Sequence, residues 1–306
     1  MFTTKTRCAI EGRSLAQKPD RFMVRRGLMA NLHERTVAGF GEEWSRFDQS
    51  ELSPSEAQRL FEEYFSVFPW AQLPEAPVGF DMGCGSGRWA KHVAPRVGTL
   101  HCVDASDEAL TVAKRNLAAQ PNCEFHHRGV DSLPFESASM DFGYSLGVLH
   151  HIPDTQAALD QCVRALKPGA PFLVYLYYRF DNRPAWFRTL WEATDRARRL
   201  ISRLPTTRRH LVTDVIAGTV YLPLARTAAV LEKAGFNVSN LPLAAYRKLS
   251  LYTMRTDALD RFGTQLEQRF TRDEIRSMME RAGLERIEFR EGVPYWCAVG
   301  RKRPQK

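Results

Sequence analysis

This sequence predicts a doubly wound α/β fold, a mainly parallel sheet covered by helices, with a helical insertion near its C-terminal end. Three observations predict it. An apolar run closes on Asp81 and passes through Gly83, Gly85 and Gly87 into a helix-prone segment. Strand-like runs then alternate with amphipathic segments of helical period as far as Tyr178. The alternation stops there, and residues 179–270 hold no clear strand before a new helix start at Thr271.

The elements follow in chain order. Residues 1–50 lack strand-like alternation, and Phe40, Trp44 and Phe47 stand close to Gly39 and Gly41. Ser53-Pro54-Ser55-Glu56 is a helix start, with a capping serine, proline at the first helical position and a glutamate at the third. Phe61, Tyr64, Phe65 and Phe68 then recur at the spacing of a buried face, which is core packing. The first strand is expected over Pro77–Met82, and its helix stops at Ala94, before Pro95. A second strand, Leu100–Asp104, precedes a helix over Ser106–Ala119 that buries Leu110, Ala113 and Leu117. Strands three and four are expected over Asn122–Gly129 and Asp141–Gly147. Asp154 caps a helix that carries Leu159, Cys162, Val163 and Leu166 on one face and ends before Lys167-Pro168-Gly169. Strand five covers Pro171–Tyr178.

Two helices are expected inside the insertion, near Pro184–Leu204 and Arg208–Ala234. Thr271-Arg272-Asp273-Glu274 is a second capping signature, opening a helix that runs to Ala282-Gly283. Ile287–Phe289 and Tyr295–Val299 complete the strands at seven. The chain thus divides into an N-terminal segment (1–50), a core (51–178), the insertion (179–270) and a C-terminal return to the core (271–306). The insertion leaves the carboxyl edge of the sheet, where ligands of such folds bind, and is expected to be a substrate lid.

Three glycines in five residues let the backbone turn sharply and leave no β-carbon between main chain and ligand. The N–H groups of the following helix face the same crevice. A dinucleotide fingerprint is not met, because the sixth position from Gly83 is Arg88 and from Gly85 is Ala90. An acid before the loop, alternate glycines within it and a second acid, Asp104, ending the second strand resemble the first motifs of class I S-adenosylmethionine-dependent methyltransferases. Asp131–Phe135, Met140–Phe142, Leu149–Asp154 and Leu166–Gly169 follow in order. Val78–Leu173 as a whole is similar to the small-molecule methyltransferases of the type 11 group, which includes quinone-pathway C-methyltransferases.

The resemblance implies a Rossmann-like sheet of seven strands, its last two antiparallel at one edge, and S-adenosylmethionine as cofactor. It implies Asp81 at the cofactor's amino group, Gly83, Gly85 and Gly87 against its methionine half, and Asp104 on the ribose hydroxyls. Leu146 and Gly147 would touch the methionine portion. The position expected to carry the adenine-binding acid is Gly129, so Asp131 is expected to substitute by same-face alternation, with the Val130 amide sharing the adenine. Residues 38–47 resemble the aromatic segment that closes over the cofactor in many family members, and a docking helix is the plainer alternative.

Methyl transfer from a sulfonium asks mainly for in-line approach and exclusion of water. A base is needed only for an acceptor that arrives protonated, and His150 and His151, after strand four, are the candidates. The structural alternative is that one of them packs or caps at the helix start. Arg255 and Arg261 are candidates to fork onto an anionic acceptor, against ion pairing with Asp257 and Asp260. Tyr177 and Tyr178 end strand five, and alternation lets one of them, assigned to Tyr178, point into the crevice.

Composition bounds the rest. Apolar residues make up 44% and charged residues 25%, which suits a chain with a buried core. The longest apolar stretch, Val215–Ala225, is short and broken by Pro223, so no membrane span is expected. Met1–Lys5 hold no hydrophobic segment of a secretion signal. The six cysteines (8, 84, 102, 123, 162 and 297) show neither a C-x-x-C pair nor metal-ligand spacing, so a reduced cytoplasmic protein without a metal is expected. Net charge is +8, and eight arginines between Arg183 and Arg209 oppose only Glu192 and Asp195. Such a segment is either a solvated helix face or a patch steering towards anionic lipid, nucleic acid or acidic small molecules. The expected partner is a small molecule; the oligomeric state is unassigned. Nucleic-acid methylation is disfavoured, because the segment after strand four lacks N/D-P-P-aromatic and Pro-Cys signatures. A cofactor-binding regulator without catalysis is the alternative from another class.

Overall fold

The structure is a computed structural model that describes residues 31–304. Met1–Lys5 and Cys8 lie outside the described residues. Seven strands form one sheet: β1 (Val78–Met82), β2 (Thr99–Asp104), β3 (Cys123–His127), β4 (Phe142–Leu146), β5 (Pro171–Tyr175), β6 (Leu284–Phe289) and β7 (Ala298–Lys302). Their order is β3-β2-β1-β4-β5-β7-β6. β1 to β5 pair in parallel, and β7 enters antiparallel between β5 and β6. The order reverses between β1 and β4, which opens a crevice at their carboxyl ends.

Two facing glycines let β1 and β4 approach. A Cβ at Gly79 would lie 2.2 Å from the Phe142 ring, and one at Gly143 would lie 2.4 Å from the Phe80 ring. Phe80, Phe142 and Phe172 are fully buried as a result. On one face of the sheet Phe80, Met82 and Val174 pack on α5 (Thr155–Ala165) and α10 (Arg272–Arg281). On the other, Leu100, Cys102 and Tyr144 meet α2 (Pro54–Tyr64), α3 (Ala90–Val93) and α4 (Asp107–Asn116). Side chains alternate along a strand, so Asp81, between Phe80 and Met82, points to this second face.

Ser53 caps as read, accepting from the Glu56 amide, and Thr271 and Glu274 complete a reciprocal capping box; Ser106 also caps its helix, accepting from the Ala109 amide. Differences from expectation lie at turns and in the insertion. The helix after the glycine loop is a single turn before a 3₁₀ turn at Ala94–Arg96. Strand five ends at Tyr175, and Tyr178 makes only an isolated bridge to Phe270. The last strand begins at Ala298, because Cys297 donates its N–H to the Pro294 carbonyl and closes a turn where a strand was expected from Tyr295.

The insertion holds three long helices, one more than expected. α6 (Ala185–Ile201) is followed by a continuous helix built from α7 (Thr206–Ile216), a π turn (Ala217–Tyr221) and α8 (Leu222–Lys233). Pro223 does not break it, since the wider π turn just before the proline absorbs the missing N–H donor. The 28 residues Thr206–Lys233 are therefore long and apolar enough, by length and composition, to cross a membrane, which corrects the expectation of no such segment. They instead lie along the protein: Ala217, Tyr221 and Ala225 pack on Met254, Ala258 and Phe262 of α9 (Leu251–Gly263). Ser250 caps α9. The helix α1 (Glu34–Arg46) crosses α4, where Gly41 gives the close approach: a Cβ there would meet the Ser106 hydroxyl at 2.7 Å.

Candidate functional site

A cavity of about 1150 Å³ opens at the tips of β1, β2 and β4 and continues under the inserted helices. Small-molecule pockets commonly hold roughly 300–1,000 Å³, so there is room here for a cofactor and a second ligand. Gly83, Gly85, Asp104, Val130, Leu146 and Gly147 line its sheet end.

The glycine loop is built by backbone geometry. Gly83, Gly85 and Gly87 all have positive φ, at 79°, 53° and 75°. A Cβ at Gly85 would lie 2.8 Å from the Trp44 indole, so α1 sits directly on the loop. Asp104 holds the loop in place: its carboxylate accepts from the Gly85 amide and the Ser106 amide, each at 2.9 Å. Burial pushes its carboxyl above the usual carboxylate range, against those two donors. Two N–H bonds leave part of a carboxylate's acceptor capacity for hydroxyl groups in the cavity.

Asp81 is buried completely beneath the loop, and neither carboxylate oxygen has a hydrogen-bond partner among the described residues. Burial raises its carboxyl well above the usual range. A buried, unpartnered carboxylate is costly unless something pairs it. It stands behind the loop and does not line the cavity, so contact with a ligand's amino group would run through an intervening water. Val130 and Gly129 line the cavity, but Asp131 does not. Its carboxylate accepts the Asn31 N–H at 3.1 Å. Alternation fails there because Val130–Ser132 is a 3₁₀ turn rather than extended chain.

The two histidines separate. His150 is fully buried, stacked between His151 and Tyr177 at 4.0 and 3.9 Å between centroids, with both ring nitrogens unpartnered among the described residues. Burial, then His151 and Arg269, lower its pKa well below the usual value, and it does not line the cavity. Its place outside the cavity removes it as a base. His151 does line the cavity, and its Nδ1 lies 2.7 Å from the Leu266 carbonyl. A carbonyl only accepts, so Nδ1 carries the proton and Nε2 is left as a free acceptor, 3.8 Å from the Asp260 carboxylate. Burial lowers the His151 pKa to about 4, so the ring is neutral at pH 7.

Of the expected acceptor contacts, Tyr178 and Arg261 line the cavity and Arg255 does not. Arg255 is held by Asp214, at 3.1 and 3.3 Å, and Asp214 also binds Arg46 of α1 at 2.5 Å. Its partner is thus neither Asp257 nor Asp260. Arg261 donates to Glu267 at 2.9 Å. Tyr177 lines the cavity together with Tyr178, because β5 has ended and alternation no longer selects one of them.

Sequence reasoning did not assign four of the cavity's carboxylates, Glu43, Glu63, Asp257 and Asp260. Burial, then Asp260 and Asp257, push Glu43 well above the usual range. Burial likewise raises Asp257 and Asp260 to about 6 each, and Tyr177 donates its hydroxyl to Asp260. The three-residue spacing of Asp257 and Asp260 was the available signal, since it puts both on one helix face. A possible metal-ligand set was missed as well. His101, Glu124 and His126 bring ligand atoms within 4.8 Å of one another across β2 and β3, away from the cavity. The histidine nitrogens stand 3.0 Å apart, which also fits a hydrogen-bonded pair.

The residues at the sheet end fit S-adenosylmethionine. A Cβ-free loop, a carboxylate with acceptor capacity at the β2 tip and an orphan acid under the loop suit a methionyl backbone, a ribose and an ammonium group. Residues 80–174 match a family described as a methyltransferase domain. Phosphoethanolamine N-methyltransferase 2 of Caenorhabditis elegans is 33% identical over 100 residues, 32% of this chain and 23% of that protein. The ubiquinone biosynthesis O-methyltransferase of Paracidovorax citrulli (strain AAC00-1) is 31% identical over 108 residues, 34% of this chain and 44% of the relative. The chain therefore spans less than half the length of either of these curated relatives. A chain from the Haloferax volcanii complex of the Trm112 methyltransferase activator with a methyltransferase superposes with a TM-score of 0.51 at 15% identity, covering 89% of this chain and 99% of that one, which shows the fold. The segment that carries the glycine loop, Asp104 and the β4 tip is a class I S-adenosylmethionine-dependent methyltransferase domain.

Proposed function

We propose that the chain transfers a methyl group from S-adenosylmethionine to a small molecule bound in the lid half of the cavity. The observation that carries this reading is one continuous cavity joining the glycine loop and Asp104 to His151, Tyr177 and Asp260. Both relatives described above are named for methylation of small molecules, which supports the acceptor class. Asp104 would hold the ribose, Gly83 and Gly85 the methionyl portion, Asp81 the amino group through water, and Val130 the adenine. When bound, the sulfonium supplies an electrophilic methyl group and leaves as a neutral thioether. The chain's own residues would orient the acceptor and shut out water: Phe40 and Trp44 of α1, with Tyr177 and Tyr178, line the cavity walls. For an acceptor that arrives protonated, the proton is taken at His151 Nε2, which is free at neutral pH.

Calorimetric titration of S-adenosylmethionine into the full chain tests the cofactor half. Binding is expected in the wild type, with at least a tenfold loss in Asp104→Ala; no heat from the wild type would overturn the reading. For the chemical half, turnover is followed as S-adenosylhomocysteine release. His151→Ala is expected to lower kcat by about 10²–10⁴ on a protonated acceptor while cofactor affinity holds.

A further inference from the structure

Solvent-exposed apolar side chains gather on the lid. Among the described residues, ten of the twelve exposed large hydrophobic side chains lie between Trp186 and Leu241. On α6, Trp186, Leu190, Ala193, Ala197 and Leu200 are all exposed and recur at helical spacing, which makes one stripe. From Leu211 to Leu224 every exposed position is uncharged: Leu211, Val215, Gly218, Thr219, Val220, Pro223 and Leu224. The one acid in that stretch, Asp214, is turned towards Arg46 and Arg255. α6 and α7 both pack on α9, so each helix has one face on the protein and one face free.

The mouth of the cavity belongs to the same surface. Leu190, Val220, Leu224 and Leu241 are 37–47% exposed and also line the cavity. Arginines lie on the same helices and the turn between them. Arg188, Arg196, Arg199, Arg203 and Arg208 are exposed, and Arg196, Arg203 and Arg208 make no side-chain hydrogen bond or ion pair with the described residues. Contiguous exposed apolar area marks an interaction site. A helix face of apolar residues beside cations is the chemistry of the boundary between lipid headgroups and acyl chains.

We propose that the lid seats on an anionic bilayer surface. The apolar stripes enter the acyl boundary, the arginines meet lipid phosphates, and the cavity mouth opens against the leaflet. Charge complementarity selects this occupant over a second copy of the chain, whose identical arginines would repel. It also selects lipid over nucleic acid, which would leave the apolar stripes in water. The seat stands independently of methyl transfer; only delivery of a lipid-like acceptor through the mouth rests on the reading above.

Flotation of the full chain with neutral phosphatidylcholine vesicles and with vesicles containing 30% phosphatidylglycerol, roughly the charge of an anionic leaflet, tests it without any activity readout. The chain is expected to float with the anionic vesicles and to be released by alkaline carbonate. Leu211→Glu with Val215→Glu, at exposed positions outside the cavity, is expected to lower binding more than tenfold with cofactor affinity and melting unchanged. Arg196→Glu with Arg203→Glu is expected to remove the preference for anionic lipid. Wild type that fails to float, or binding that survives the Leu211/Val215 pair of changes, would overturn the proposal. So would resistance to carbonate, which means a spanning helix. A concentration-dependent dimer broken by the same pair, or salt-sensitive RNA binding without flotation, assigns the surface to another partner and overturns it too.

Discussion

Asp257 and Asp260 stand about one turn apart on α9, and both carboxyls are raised to about 6 by burial. A carboxyl whose folded pKa exceeds its unfolded value binds more protons in the folded state between the two. Its ionisation therefore removes stability as pH rises from about 4 to about 6, and the loss is complete above that. His151 works in the opposite direction: with a folded pKa of about 4 it lets stability rise over pH 4 to 6.5. Asp257→Asn takes away one of the opposing groups. Cofactor-free Asp257→Asn is expected to be about 1–2 kcal/mol more stable than wild type at pH 7.5 and nearly unchanged at pH 4. Thermal melts at both pH values check this; an equal shift at the two would count against the buried-charge explanation. At this scale the sequence was legible where chemistry is local. Gly83, Gly85, Gly87 and Asp104 announce themselves by spacing; Gly83, Gly85 and Asp104 line the cavity, whereas Gly87 does not and lies against Leu117. Glu43 and Asp260 face one cavity only because α1 and α9 meet over the crevice, and no spacing along the chain records that. His150 and His151 are neighbours of one type and both buried, yet only His151 lines the cavity.

Among the elements, the five parallel strands were readable from alternation and the capping serines. The misses share a cause: local signals weaken where tertiary packing overrides them. A helix across Pro223 is expected from the sequence, but the apolar stretch around it reads as short and broken, whereas a π turn carries it on as one long helix. α9 itself was hidden by mixed charges and aromatics, since its buried face meets a lid rather than the sheet. Two outcomes belong to this level. Gly85→Ala places a methyl group where φ is 53° and the Trp44 ring is 2.8 Å away. It is expected to cost about 1–3 kcal/mol and to weaken S-adenosylmethionine binding by tenfold or more, read by melting and titration. Burial opposes ionisation of Asp214, but hydrogen bonds from Arg255 and Arg46 hold its carboxyl below the usual range. Asp214→Ala strands both guanidinium groups. A loss of about 1–2 kcal/mol is expected, against no effect on isolated cofactor chemistry if the pairing is only structural.

Over the whole molecule, the sheet is the platform, and α1 and the inserted helices lie over the cavity at its carboxyl edge. Since Phe40, Glu43 and Trp44 line the cavity, a ligand that fills its sheet end should hold α1 down. Limited proteolysis within residues 31–50 is expected to slow several-fold with saturating S-adenosylhomocysteine, and the Asp104→Ala chain should lose that protection. Asp214 gives this a further consequence. One carboxylate on α7, gripped by Arg46 of α1 and Arg255 of α9, ties the helix over the glycine loop to the helix that carries Asp257 and Asp260. Moving either helix away would break an ion pair at that carboxylate, so shifts of α1 and α9 on ligand binding are expected to be coupled.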